Sequence, residues 1–266
     1  PPAKINLGLN VLYKREDEFH ELDTCMFPIG VSDVLEILSS EEFIFKQTGL
    51  TVDGDQEMNL VVKAFRLMQE RFNIPNVAIH LRKNIPMGAG LGGGSSDATS
   101  TILGLNEMFN IKLTKIELQE LASLLGSDCA FFVENLPQLA KGRGENLTTF
   151  QLDLSQYYMK IVNPGIHIGT AEAYNKMTFS GQDISVEQVL QLPIDQWQGL
   201  LQNSFEKEVF LNHPAIAELK SKLLDEGAVY ASMSGSGSTV YGIYSSEPEL
   251  SFTEDYERVF SLNYTN

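Results

Sequence analysis

From Lys4 to Tyr13 the chain alternates: Ile5, Leu7, Leu9 and Val11 fall on one face, and Asn6, Gly8 and Asn10 on the other. A period of two predicts a half-buried strand. The polar run 14–21 reads as a turn, and strands follow near 24–30 and 33–38. Residues 49–57 read as a polar loop. Asn59 is placed to cap a helix to about Phe72, with Leu60, Ala64 and Met68 spaced by four. Val77 to Leu81 reads as a strand and 83–94 as a loop. Ser95 or Ser96 then caps a helix reaching about Phe109. Thr114, with Glu117 three positions on, opens a further helix that ends at Gly126. Short strands are expected from about 128 to 163. Beyond them come helices near 170–178, 185–202 and 213–226, and strands near 157–163, 228–233 and 239–244. Strands and helices interleave irregularly, which favours α+β over a doubly wound sheet. The 266 residues suffice for two domains, with the division expected near 153–157, giving 1–154 and 155–266.

Composition removes several functions. The formal charge is −16, and no run of Lys or Arg offsets it, so neither nucleic acid nor an anionic membrane is an expected partner. No apolar run approaches the roughly 18 residues of a membrane span. Pro1-Pro2-Ala3-Lys4 does not read as a signal peptide. Cys25 and Cys129 stand far apart, and the four histidines stand singly. Two reduced, buried thiols in a cytoplasmic protein are therefore expected, and no zinc site. Residues 1–150 hold 13 basic and 20 acidic side chains, against 6 and 15 in the remainder. A phosphate site is more comfortable in the first part.

The chemistry concentrates at Pro86, Met87, Gly88, Ala89, Gly90, Leu91, Gly92, Gly93, Gly94, Ser95 and Ser96. Five glycines in seven residues expose backbone N–H groups and run into a helix start, which together make an anion site. Gly88-x-Gly90-x-x-Gly93 fits the dinucleotide fingerprint. However, Pro86 intervenes after the strand, and the acidic residue expected about 20 positions on is missing. The Walker pattern and the protein-kinase motifs are also absent. A second glycine cluster, Gly235, Ser236 and Gly237, lies between two apolar runs, and Asp128 sits at a turn after Gly126. A carboxylate there suits the orientation of a hydroxyl nucleophile.

The N-terminal strand with Lys4, the first glycine-rich loop and the Ser234–Thr239 loop occur in the order that resembles the GHMP kinases (galactose, homoserine, mevalonate and phosphomevalonate kinases and relatives). Pro2 to Leu7, Phe19-His20, Asn59-Leu60, Gly126 to Asp128, Gly142 to Glu145, Asn163 to Gly165 and Asn203 to Glu206 are similar to a branch of that family acting on a diphosphocytidyl methylerythritol. The likeness spans roughly 2–244. It implies a two-domain α+β fold, with a ribosomal-S5-like N-terminal half and a ferredoxin-like C-terminal half. It also implies ATP with Mg²⁺ as the phosphoryl source, although no residue is assigned as a metal ligand. Lys4 and Asp128 match the catalytic pair. Asn59, Lys83 and Asp97 match positions near the adenine, and many relatives carry Asn in place of Asp97. Asn6 matches a substrate-facing position, and Gly235, Ser236 and Gly237 match substrate-side backbone. Phe19, His20 and Tyr174 match a cytosine pocket with two stacking rings and one hydrogen-bonding edge. Other alcohols such as homoserine or a mevalonate derivative, a non-catalytic sensor on the same scaffold, and a nicotinamide oxidoreductase remain as alternatives.

Overall fold

The structure, a computed structural model, describes residues 1–51, 55–169, 173–174, 179, 184–251 and 256–262. The strands are β1 (Pro2–Lys14), β2 (His20–Ser32), β3 (Val34–Ser39), β4 (Ile44–Gly49), β5 (Val77–Lys83), β6 (Gln138–Gly142), β7 (Asn146–Thr149), β8 (Tyr158–Asn163), β9 (Tyr230–Met233), β10 (Val240–Tyr244) and β11 (Tyr256–Ser261). The helices are α1 (Leu60–Phe72), α2 (Gly93–Met108), α3 (Lys115–Ser123), α4 (Phe131–Glu134), α5 (Val186–Leu190), α6 (Glu206–Asn212) and α7 (Pro214–Asp225). The described strands form three sheets, in the orders β1-β2-β6-β7, β11-β8-β10-β9 and β3-β5-β4.

The chain resolves into two compact units that interleave along the sequence. One comprises 1–4, 31–87 and 92–136; the other comprises 5–30, 88–91 and 137–266. In the first, β5 pairs antiparallel with β3 and parallel with β4. Val61, Phe65 and Met68 of α1, Ile79 and Leu81 of β5, and Ala98 and Ile102 of α2 share one buried cluster. The spacing by three and four in each helix, and by two in the strand, turns these side chains to one side. In the second unit, Leu9, Val11, Phe205, Ile216, Leu223 and Tyr244 belong to another cluster.

Several elements follow the sequence pattern. Asn59 caps α1, its side chain accepting from the Val61 N–H. Thr114 and Glu117 form the expected reciprocal cap of α3. Others differ for physical reasons. β1 is buried on both faces from Ala3 to Val11, so its polar face is not a solvent face. The cap of α2 is Gly92, in the left-handed region at φ 69°, and Ser95 and Ser96 lie inside the first turn. The stretch after 128 begins with helix α4 before its strands. Pro193 interrupts 185–202, leaving α5 and a short 3₁₀ turn at Ile194–Gln196. Strands β4 and β11 and helix α6 carry no clear periodicity and escape a pattern reading. Of the helix expected at 170–178, Ala173 and Tyr174 are helical and 170–172 and 175–178 lie outside the described residues.

Candidate active site

Asp128 lies in the turn between α3 and α4. The Cys129 N–H donates to the Gly126 carbonyl at 3.1 Å, and the Thr99 hydroxyl of α2 donates to the Cys129 carbonyl at 2.8 Å. The turn is thereby tied to α2, and Asp128 is held in one place. Lys4 Nζ stands 3.2 Å from Asp128 Oδ2; the lysine side chain is 4% exposed and the aspartate 33%. The cation is sunk and directed, while the carboxylate is reachable by a ligand. Gly92 makes room for this pair. A Cβ there would lie 3.1 Å from the Lys4 Cγ and Cε and 3.0 Å from the Phe132 ring. Sequence reasoning brings Lys4 and Asp128 to one site, and the structure places them in contact. The neighbouring Cys129 thiol is pushed up to about 11 by burial, which leaves it an inert neutral group.

The first turn of α2 has no side-chain cap. Its leading N–H groups, with the helix dipole behind them, are suited to an anion. Gly93 and Gly94 form its start. A Cβ on Gly93 would approach Ile85 Cγ2 to 2.9 Å, whereas one on Gly94 would meet only Leu60 at 3.7 Å. The Ser96 hydroxyl is buried without a hydrogen-bond partner.

Beside this turn lies a cavity of about 520 Å³, lined by Gln47, Thr48, Asn59, Lys83, Gly94 and Asp97, with Leu60 and Met87 adding apolar wall. It gathers Asn59, Lys83, Asp97, Met87 and Gly94, which the sequence reading linked to a nucleotide. The electrostatics are unexpected. The Lys83 ammonium is almost fully buried and is held by both Asp33 and Asp97, the latter at 2.7 Å. Asp33 also accepts from the Asn84 and Ile85 N–H groups. Asp97 gives Lys83 one oxygen; its other oxygen is buried with no hydrogen bond. Burial pushes the Asp97 carboxyl up to about 7, against the pull of Lys83 and with Asp33 adding to the rise. Asp33 was missed from sequence because a lone Asp between two strands reads as a turn residue.

In the second unit, residues 88–91 pack against the later glycine cluster. The Ser234 hydroxyl donates to the Gly90 carbonyl at 2.8 Å, and the Thr239 N–H donates to the Ala89 carbonyl at 3.2 Å. Gly90 has φ 76°, and a Cβ there would fall 2.0 Å from the Ser234 carbonyl oxygen. The glycine is required by close backbone approach. Asn203 Nδ2 donates to the carbonyls of Met233 and Gly235, each at 2.8 Å. Asn6 is buried in the same unit. Its Nδ2 donates to Thr24 Oγ1 at 3.0 Å, and its carbonyl accepts from the Tyr241 hydroxyl at 2.8 Å. Asn203 was legible as part of a motif but not as the clamp on the Gly235 loop.

The aromatic trio is arranged differently from a simple sandwich. His20 and Tyr174 stack on each other, with centroids 4.9 Å apart and planes 23° apart. Phe19 is half exposed and stacks instead beneath the Arg143 guanidinium, 4.6 Å from its ring. Phe19 belongs to the bend that precedes β2, after Glu18 at φ 67°, whereas His20 opens the strand. Burial, helped by Lys14, holds the His20 pKa below its ordinary value, favouring a neutral ring with one donor and one acceptor edge.

Comparison with known proteins adds the following. The GHMP kinases N terminal domain matches residues 59–135, and the GHMP kinases C terminal domain matches 190–255. A 4-diphosphocytidyl-2-C-methyl-D-erythritol kinase from Bacteroides fragilis is 43% identical, covering 98% of this chain and 96% of the relative. One from Azobacteroides pseudotrichonymphae is 46% identical, covering 92% of each. A solved structure of a 4-(cytidine 5'-diphospho)-2C-methyl-D-erythritol kinase superposes with a TM-score of 0.78 at 32% identity, covering 91% of this chain and 87% of that one.

Proposed function

This chain belongs to the GHMP kinases, and from that premise we propose that it transfers the γ-phosphoryl group of ATP to the 2-hydroxyl of 4-diphosphocytidyl-2-C-methyl-D-erythritol, within non-mevalonate isoprenoid synthesis in the cytoplasm. The reading rests most directly on Lys4 Nζ at 3.2 Å from Asp128 Oδ2, in the unit that also holds the uncapped start of α2. It draws its substrate from relatives 43–46% identical over nearly their whole length.

Phosphoryl transfer depends chiefly on positioning and charge stabilisation. In the proposed mechanism, the alcohol oxygen forms a bond to the γ-phosphorus as the bond to the ADP oxygen breaks. Asp128 orients the hydroxyl and accepts its proton. Lys4 fixes Asp128 and offsets the negative charge that spreads over the transferring group. The backbone of 86–96, with Ser95 and Ser96, receives the phosphates. Asn59, Lys83 and Asp97 border the nucleoside. Asn6 and the Gly235–Gly237 backbone face the polyol, and Phe19, His20 and Tyr174 hold the cytosine. Mg²⁺ would neutralise the nucleotide phosphates when bound. Among the described residues there is no group of three or more His, Cys, Asp or Glu that could hold a metal ion, so no protein ligand is assigned to it. No helix of the described residues is long and apolar enough to cross a membrane.

The test is an ADP-release assay with the diphosphocytidyl methylerythritol, homoserine and mevalonate as separate acceptors. Turnover with the first alone is the expected result. Turnover only with another alcohol would move the assignment within the family, and none with any acceptor would favour a sensor.

A further inference from the structure

We propose that Arg143 is a specificity-determining residue that pairs with the diphosphate of the cytidylyl substrate. The inference rests on the reading above that the substrate is a cytidine diphosphate linked to a polyol. The first observation is a built support. Arg143 occupies the turn between β6 and β7, flanked by Gly142 at φ 71° and Gly144 at φ 107°. Glu21, next to His20 in β2, accepts from the Gly142 N–H at 2.9 Å. The Gly144 N–H returns to the Lys141 carbonyl at 3.1 Å, and the Arg143 N–H donates to Glu145 Oε2. This turn is therefore fastened to the strand that opens with His20, one of the proposed pocket residues.

The second observation is direction. The Arg143 guanidinium lies over the Phe19 ring at 4.6 Å. A guanidinium held over a ring keeps its planar fork of N–H groups for other acceptors, and that fork matches the oxygens of a phosphate two at a time. The third is charge balance. Arg15, the other guanidinium at this end, is taken up by Asp17 and by Glu21 at 2.8 Å. Arg143 has a longer ion pair with Glu145 at 3.7 Å, beyond hydrogen-bond distance, and also acts through space on Asp17, so it is the less tightly paired of the two. In a chain of net charge −16, a doubly charged substrate group needs a local cation. Lys14 also lies near enough to act on His20, but among the described residues no ring directs it.

Calorimetric titration of cytidine and of cytidine diphosphate into wild type, Arg143→Gln and Lys14→Gln separates the possibilities. The two variants lose the same charge. The expected result is that Arg143→Gln weakens cytidine diphosphate about 10–100-fold and changes cytidine by less than about threefold, while Lys14→Gln changes both little. Wild type should also lose affinity for the diphosphate more steeply with salt than Arg143→Gln does. Equal weakening by both variants would reduce the effect to general charge, and equal loss of both ligands in Arg143→Gln would make Arg143 a support for the ring; either result overturns the proposal. If wild type binds neither ligand, the cytidine pocket itself is misplaced and the proposal falls with it. If cytidine binds normally but the diphosphate gains nothing from Arg143, the pocket stands and this assignment alone is lost.

Discussion

Asp97 gives one carboxylate oxygen to Lys83 at 2.7 Å and keeps the other buried without a hydrogen bond. Two carboxylates share one ammonium here, and the one with more hydrogen bonds is Asp33, which has two backbone N–H donors besides Lys83. Asp97 is accordingly the member that keeps a proton, its pKa raised to about 7. The sign for stability follows. The folded protein holds a proton on Asp97 that the unfolded chain releases above about pH 4. Stability from this group therefore falls as pH rises from about 4 to about 7, and stays reduced above that. Asn at 97 cannot ionise. Thermal unfolding of wild type and Asp97→Asn from pH 5 to 8 should show the variant gaining relative to wild type as pH rises. A difference independent of pH would mean that Asp97 is ionised throughout.

Asp128→Asn should keep ATP affinity and lose turnover by about 10²–10⁴, because the acceptor hydroxyl loses its anionic partner. The helix start of α2, to which the phosphates are assigned, is untouched by this change. Single-turnover kinetics beside ATP titration checks it, and a near-wild-type kcat would remove Asp128 from proton transfer.

Two glycines of one loop should respond in opposite ways. Gly90→Ala forces a Cβ to within 2.0 Å of the Ser234 carbonyl oxygen at φ 76°, so it should cost folding stability by on the order of 1–3 kcal/mol or more. Gly94→Ala meets only Leu60 at 3.7 Å, within α2. It should fold at least as well as wild type and weaken ATP, because it lines the cavity assigned to the nucleoside. Unfolding midpoints and ATP titration of both variants decide between these roles.

His20→Ala should weaken the cytidylyl substrate by about 1–3 kcal/mol and leave ATP affinity alone. A uridine analogue, whose edge exchanges an amine donor for a carbonyl, should bind wild type less well than cytidine and lose little further on the substitution. Equal binding of cytidine and uridine by wild type would show that His20 does not read that edge.

The alternation of β1, the cap at Asn59 and the reciprocal cap at Thr114 were legible because each is a local signal that tertiary packing left in place. The ordered glycine motifs made the family legible for a different reason: they record backbone approach, which tolerates few residues. What was not legible depends on distant partners. Asp33 gains meaning only from Lys83, which lies 50 positions away. The polar face of β1 looked like a solvent face, but Asn6 is buried against Thr24. Phe19 and Tyr174 read as two rings around a ligand with His20 at its edge; in the structure Phe19 meets Arg143, and His20 stacks on Tyr174. A pattern of neighbours cannot tell which remote side chain a ring will choose.

The bond from the Ser234 hydroxyl to the Gly90 carbonyl spans 144 positions, and this sets an order in time. A ribosome that has finished the glycine-rich stretch has still to make the residues that brace its middle. During synthesis that stretch is a string of glycines with the largest freedom a backbone can have, and closing so long a loop comes late. The nascent chain therefore carries an unbraced glycine-rich loop until the SGSGST segment leaves the exit tunnel.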